Sequence, residues 1–290
     1  LSRKLNVKGI KQNFYAVKCV LSAVGACKKI YKDFKPDAVI GTGGYASFPA
    51  LYAAQSMGIP TCVHEANAVP GVTTKMAANK ASRVLVAFEE SVQYYKHPEK
   101  VEVVGMPIRR EFLYTTREQA RKELGLSGHV VVSAFGSLGA KVMNETMADM
   151  MPMEQADNFP FHHIHATGKF GWEWMPEKVK SRGVDLENPN IDMREYVYNM
   201  PTVMAAADVI ISRAGASTCN EICASGIPCI LIPSPNVTNN HQYKNAKAIC
   251  DLAKKLDIDV PLSNAIYNAV YTDITPEEIL AGLMNRKLKK

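Results

Sequence analysis

The chain has 290 residues, 47% hydrophobic and 21% charged, with a net charge of +6. That balance excludes a disordered chain, and the length suits two domains of ordinary size. The longest apolar run near the start, Cys19–Cys27, is far too short to span a bilayer, and no cleavable leader pattern is read at the N-terminus.

The charge is concentrated at the beginning. Residues 1–35 carry nine Lys or Arg against the single acid Asp33, so the remainder of the chain is slightly acidic. Phe14, Tyr15, Val17, Val20, Leu21 and Val24 are interleaved with those lysines. Such a segment suits an anionic membrane surface, or else an amphipathic helix whose apolar stripe packs on a sheet. No nucleic-acid partner is expected. The chain opens on Leu1, the pattern of a fragment or a processed protein.

Short β-rich runs then alternate with helical stretches. Strands are predicted at 37–40, 60–63, 83–88 and 101–104, and the rhythm restarts with strands at 129–135, 161–166, 191–195, 208–212 and 228–233. Continuous Val/Ile/Leu runs without alternation predict strands buried on both faces, hence parallel sheets covered by helices. The expected fold is α/β, with two doubly wound parallel-sheet domains at 1–107 and 108–290 and a cleft between them. Ligands in such sheets bind beyond the carboxyl ends of the strands.

Four constellations fall at those ends. Gly41-Thr42-Gly43-Gly44-Tyr45-Ala46-Ser47 follows the first strand and precedes a helix predicted at 49–56, which suits close backbone approach to an anion; a plain tight turn is the simpler alternative. His64-Glu65-Ala66-Asn67 ends the next strand, with Pro70-Gly71 starting a helix. His64 or Glu65 there suits a general base or a sugar-hydroxyl contact, unless the histidine simply satisfies a turn. Phe135-Gly136-Ser137-Leu138-Gly139-Ala140 lacks the spacing of a dinucleotide fingerprint, and Ser137 with its neighbouring N–H groups better suits a diphosphate.

The most informative stretch is Ser212-Arg213-Ala214-Gly215-Ala216-Ser217-Thr218, then Glu221, then the strand around Ile230–Ile232. It reads as strand, small-residue turn and helix start aimed at a phosphate, with Glu221 placed to accept both hydroxyls of a ribose. Beyond it, Asn239-Asn240-His241-Gln242 opens a helix, where amide and imidazole groups suit sugar hydroxyls and Asn239 is a candidate helix cap.

Metal chemistry is not expected. Alternation puts His162 on the face opposite His163 and His165. Cys219 and Cys223 sit among small apolar neighbours that favour core packing, and Asp257-Ile258-Asp259 falls in a charged turn. The seven cysteines, an odd number in apolar contexts, suggest reduced thiols in a cytoplasmic protein.

These motifs, in this order and spacing, resemble the bacterial lipid II-forming N-acetylglucosaminyltransferases, the MurG family of glycosyltransferase family 28. The resemblance runs through nearly the whole chain and is carried by Gly41–Ser47, His64–Asn67, Gly136–Ala140 with Asn144, Arg213–Glu221 and His241-Gln242. It implies the GT-B fold, with UDP-GlcNAc held mainly by the C-terminal domain and the lipid acceptor by the N-terminal one. It implies inverting transfer of GlcNAc to the C4 hydroxyl of undecaprenyl-diphosphate-linked MurNAc-pentapeptide, without cofactor or metal. Among donor-site residues it implies Glu221 for the ribose, Ser137 with Gly136 and Gly139 for the diphosphate, and His241 and Gln242 for the GlcNAc hydroxyls. Arg109, Asn144, Arg213, Gly215 and Ala216 complete that site.

On the acceptor side the resemblance implies Gly43, Gly44 and Tyr45 at the diphosphate, with His64, Glu65 and Asn67 near the sugar. It also implies a peripheral place on the inner face of the cell membrane and contact with cell-wall synthesis proteins. Departures stand out. Ala66 and Thr74 replace the family's usual Gln and Asn. The family's first strand with its glycine-rich turn ending in histidine, which contributes to acceptor binding and can position the base, is missing from the sequence, so the N-terminal domain is expected to be incomplete. The family's final helix, which crosses back onto the N-terminal domain, is expected to be cut short at Lys290. Read from the residues alone, a GT-B lipid glycosyltransferase with another acceptor and a non-catalytic nucleotide-sugar-binding or scaffolding protein both stay open.

Overall fold

The computed structural model describes residues 7–258. The chain divides into two compact units, Leu1–Met106 and Pro107–Lys290.

The first unit opens with α1 (Val7–Phe34), then alternates β1 (Val39–Gly41), α2 (Gly44–Ser56), β2 (Thr61–Glu65), α3 (Val72–Ala78), β3 (Arg83–Val86) and β4 (Val101–Val103). The four strands form one parallel sheet in the order β1-β2-β3-β4. Its core is Val63, Val84 and Val86 from the strands, packed with Leu51 of α2 and Ala77 of α3. Helix α1 packs on α2, with Val24 buried and the Tyr31 hydroxyl donating to Ala50 O at 3.3 Å. It does not lay its apolar stripe on the sheet: Phe14, Tyr15, Val17, Val20 and Leu21 are all exposed. No helix among the described residues is long and apolar enough to cross a membrane.

The second unit runs α4 (Glu111–Tyr114), α5 (Arg117–Leu124), β5 (Val130–Ala134), α6 (Lys141–Ala156), β6 (His162–Ala166), α7 (Lys169–Trp172), α8 (Met175–Ser181), β7 (Ile191–Arg194), α9 (Met200–Ala206), β8 (Val209–Ser212), α10 (Ala216–Ser225), β9 (Cys229–Leu231) and α11 (His241–Lys255). Its five parallel strands take the order β7-β6-β5-β8-β9, so the winding direction reverses between β5 and β8. The reversal opens a crevice at the carboxyl ends of those two strands. One face is sealed by Met147, Met151, Met175 and Val179, the other by Val203, Met204 and Ile222.

The bottom of this sheet is pinned by one carboxylate. Asp208 Oδ2 accepts from the Val130 N–H at 2.8 Å and from Arg121 at 2.7 Å, and Oδ1 is paired with Arg117. The same residue therefore ties α5 to the start of both β5 and β8. Helix α5 is itself fixed by a capping box between Thr116 and Gln119 and stopped by Gly125 in the left-handed region.

All nine predicted strands are present, shifted by a residue or two. One shift matters: β2 runs through His64 and Glu65, which are strand residues and buried, not members of an open loop.

Candidate functional site

In the first unit, α2 begins at Gly44, earlier than the predicted 49, so the glycine turn is the helix start itself. Gly43 and Gly44 take φ of 81° and 73°, a conformation that makes glycine the natural residue here. Tyr45 follows, almost fully exposed, and Ser47 Oγ donates to Gly43 O at 2.7 Å. Thr73 Oγ1 donates to Gly44 O at 3.3 Å, joining α3 to this turn.

His64 and Glu65 are largely committed to the protein. His64 Nε2 lies 2.9 Å from Gly105 O; a carbonyl only accepts, so Nε2 carries a proton and Nδ1 is the nitrogen not engaged by that bond. Glu65 Oε1 accepts from the Asn67 backbone N–H and from Asn67 Nδ2, each at 3.1 Å, and Oε2 accepts from the Gly71 N–H at 3.2 Å. This geometry gives Glu65 a loop-holding role. Asn67 is drawn into the same arrangement.

In the second unit, a cleft of about 440 Å³ lies over the β5/β8 reversal. Arg109, Gly136, Ser137, Ser212, Thr218 and Glu221 line it, over an apolar floor of Val132, Ala166, Ile210 and Met204. Glu195–Tyr198, the loop after β7, forms a further wall. Glu221 is half-buried, and its carboxylate accepts no hydrogen bond from the described residues. Desolvation raises its pKa above the usual carboxylate range, partly offset by the Arg109 guanidinium. Arg109 in turn lies 5.3 Å from the centroid of the Phe112 ring. Gly215 is the N-cap of α10 and offers no side chain, so the first N–H groups of that helix are left for an anion.

Other expected donor-site residues support the cleft without lining it. Asn144 is buried and donates through Nδ2 to Thr167 O at 2.6 Å, under the Gly136–Gly139 turn. Gly139 and Gly168 cross so closely that a Cβ on Gly139 would meet Thr167 O at 2.1 Å. Gln242 is buried; its Oε1 accepts from the Ser234 N–H at 2.8 Å and from Arg213 Nε at 3.4 Å. Those two residues therefore brace the loop after β9. Gly215 and Ala216 form the helix start, and His241 Nδ1 lies 2.9 Å from Thr238 O. The cap of α11 is Asn240, not Asn239, and its side chain makes no capping bond.

Residues 130–275 match the glycosyltransferase family 28 C-terminal domain, and residues 2–86 match the N-terminal domain of that family. The chain belongs to glycosyltransferase family 28. Within the family it is 42% identical over 254 residues to the UDP-N-acetylglucosamine–N-acetylmuramyl-(pentapeptide) pyrophosphoryl-undecaprenol N-acetylglucosamine transferase of Acetivibrio thermocellus, covering 85% of this chain and 68% of the relative. The protein of the same name from Caldanaerobacter subterraneus is 43% identical over 252 residues, covering 84% and 68%. The crystal structure of Acinetobacter baumannii MurG superposes with a TM-score of 0.62 at 26% identity, over 92% of this chain and 70% of that one. UDP-GlcNAc 2-epimerase from Neisseria meningitidis, at 13% identity and a TM-score of 0.52 over 99% of this chain and 84% of that one, shares the fold alone. The architecture is thus the GT-B type of two parallel-sheet α/β domains.

Against this family 28 frame, sequence reasoning missed Thr218, Glu195, Tyr196 and Tyr198. Thr218 was within reach, one turn before Glu221 on the same face of α10. The tyrosine pair, with ring centroids 4.9 Å apart, follows a strand with no glycine turn to mark it.

His163 and His165 are buried beside Ser133, facing the core and not the cleft. All seven cysteines are free thiols. Among the described residues no group of three His, Cys, Asp or Glu is arranged to hold a metal ion. Asp257 lies in the turn after α11, and Asp259 falls outside the described residues.

Proposed function

We propose that this family 28 chain transfers GlcNAc from UDP-GlcNAc to the C4 hydroxyl of a lipid-diphosphate-linked MurNAc-pentapeptide, the reaction for which its relatives are named. The observation that carries the reading is Glu221: a carboxylate without hydrogen bonds from the described residues, facing a cleft beside a helix start and a serine turn. The ribose diol donates to Glu221. The diphosphate takes N–H groups from the start of α10 together with Ser137 and its turn. The uracil lies toward Tyr196 and Tyr198, whose faces suit a flat base. As the glycosidic bond breaks, charge grows on the UDP oxygens, and the α10 N-terminus and Arg109 are already oriented to stabilise it.

The acceptor diphosphate is assigned to Gly43, Gly44 and Tyr45 at the start of α2, with His64 near the sugar. The exposed apolar residues of α1, interleaved with Lys18, Lys28, Lys29 and Lys32, suit an anionic membrane surface and so a peripheral place on the inner face of the cell membrane, beside other cell-wall synthesis proteins. Calorimetric titration in EDTA tests the donor half. Saturable binding of UDP-GlcNAc in preference to UDP-GalNAc and UDP-glucose is expected, followed by transfer to a lipid-linked MurNAc-pentapeptide. A folded sample that binds no UDP-sugar would overturn the reading.

A further inference from the structure

The second unit contains a polar chain where a core normally holds apolar groups. Glu154 on α6 lies with both carboxylate oxygens 3.0 Å from His163 Nδ1. His163 Nε2 is 2.7 Å from Ser133 Oγ, and Ser133 Oγ is 2.6 Å from His165 Nδ1. All four residues are buried, and His165 Nε2 has no hydrogen-bond partner among the described residues. The proton inventory follows from the partners. The Glu154 carboxylate accepts, so His163 carries a proton on Nδ1, and the Ser133 oxygen bridges His163 Nε2 and His165 Nδ1. Burial, then the neighbouring His163, push the His165 ring down to about 3, which keeps it neutral.

Leaving a buried nitrogen unpaired costs stability, and an apolar trio would fill this space without that cost. What the chain provides is register. Ser133 lies opposite His165 in the β5–β6 pair, and its single oxygen is gripped by two rings of β6, one above the other on the same face. Three residues onward, about 10 Å of strand, β5 becomes the Gly136–Gly139 turn and β6 becomes Gly168. There the two backbones meet with no room for a side chain: a Cβ on Gly168 would lie 2.0 Å from Gly139 N. Lys169 N–H donates to Ser137 O at 3.1 Å and Phe170 N–H to Leu138 O at 3.3 Å. Any sliding of β5 against β6 at Ser133 is therefore delivered to the Ser137 turn.

We infer that Ser133 and His165 are positioning residues for the diphosphate of the sugar nucleotide, setting the Gly136–Gly139 turn through the β5–β6 register. The inference rests on the assignment of that turn to the donor diphosphate. The test compares UDP with uridine, so that the phosphate-dependent part of binding is read separately.

His165→Leu removes the unpaired nitrogen and keeps an apolar side chain, so it is expected to unfold no earlier than the wild type. It is nonetheless expected to lower the UDP-to-uridine affinity ratio about tenfold, the scale of one well-placed hydrogen bond at a charged group. Ser133→Ala should lower the ratio similarly, and Ser133→Thr, which retains the hydroxyl, should restore it. Met151→Ala, a cavity in the same core layer, should lose stability and keep the ratio. The inference is overturned if folded His165→Leu and Ser133→Ala stay within twofold of the wild-type ratio, or if Met151→Ala lowers it equally. Should His165→Leu not fold, the Ser133→Ala and Ser133→Thr pair decides. A wild-type chain that binds uridine but not UDP would instead overturn the turn assignment, and this inference with it.

Discussion

Glu65 and Glu221 look equivalent in the sequence: each is an acid near the carboxyl end of a buried parallel strand, beside small residues. The structure separates them. Glu65 is the last residue of β2, buried, and it receives three hydrogen bonds from residues 67–71 of its own loop. Glu221 stands two turns into α10, half-buried, with its oxygens unengaged and its pKa raised by desolvation. A carboxylate whose lone pairs are filled from its own chain holds a loop in place. One that has lost part of its water without replacing it is ready to take hydroxyl donors from a ligand.

The sharpest way to break this contrast is to truncate both acids. Glu221→Ala is expected to weaken UDP-GlcNAc roughly tenfold to a hundredfold, as expected for a charged hydrogen-bond acceptor worth about 1.5–3 kcal/mol. The fold should remain intact, since none of the described residues is hydrogen-bonded to that carboxylate; calorimetry with circular dichroism reads both. Unchanged nucleotide affinity in a folded variant would remove Glu221 from the site. Glu65→Ala should do the reverse. Losing the acceptor of two backbone N–H groups and one amide is expected to destabilise the first unit by about 2 kcal/mol, read by urea unfolding, while donor affinity stays within twofold. A donor defect without a stability defect would show that Glu65 has been misplaced.

A third comparison uses Gln242, whose oxygen is engaged in the manner of Glu65. Gln242→Ala should cost about 1 kcal/mol of stability by freeing the Ser234 N–H and the loop after β9. UDP affinity should not change, and UDP-GlcNAc affinity should fall no more than about threefold through loop movement. A selective loss for UDP-GlcNAc of tenfold or more would restore the direct sugar contact.

The same distinction explains what the sequence made legible. Every strand was, because runs such as Val130–Val132 and Ile210–Ile211 are buried on both faces and carry a local signature. The glycine turns and Glu221 were too, because strand–turn–helix junctions are local. The direction of Asn144 was not, since its partner Thr167 lies a strand and a helix away. Nor was the crossing of Gly139 with Gly168, which depends on β5 and β6 being neighbours. Tyr196 and Tyr198 reach the cleft because the chain returns from β7 at the sheet edge to β8 through α9, a consequence of strand order. Residue type and place identified candidates; which candidates already had partners was a property of the assembled sheet.

The smallest effect sharpens the contrast most, because its sign is opposite for stability and for binding. Desolvation raises the Glu221 pKa in the folded protein. Between the ordinary carboxylate range and that raised value the folded state binds more protons than the unfolded one, so stability falls as pH rises through this window. At neutral pH the ionised group is thus a net cost. Glu221→Gln should raise apo stability, by at most about 0.5 kcal/mol because solvent still reaches the group and screens it. Donor binding runs the other way. Ribose hydroxyls donate to the ionised form, so wild-type UDP-GlcNAc affinity, whose diphosphate does not titrate in this range, should begin to decline on acidification while the pH is still above the usual carboxylate range, and Glu221→Gln should lack that decline. Titrations from pH 7.5 to 5.0 with both proteins read this directly. A wild-type affinity that is flat across that range would mean that Glu221 titrates unperturbed or does not meet the nucleotide, and the apo stability of Glu221→Gln would tell the two apart.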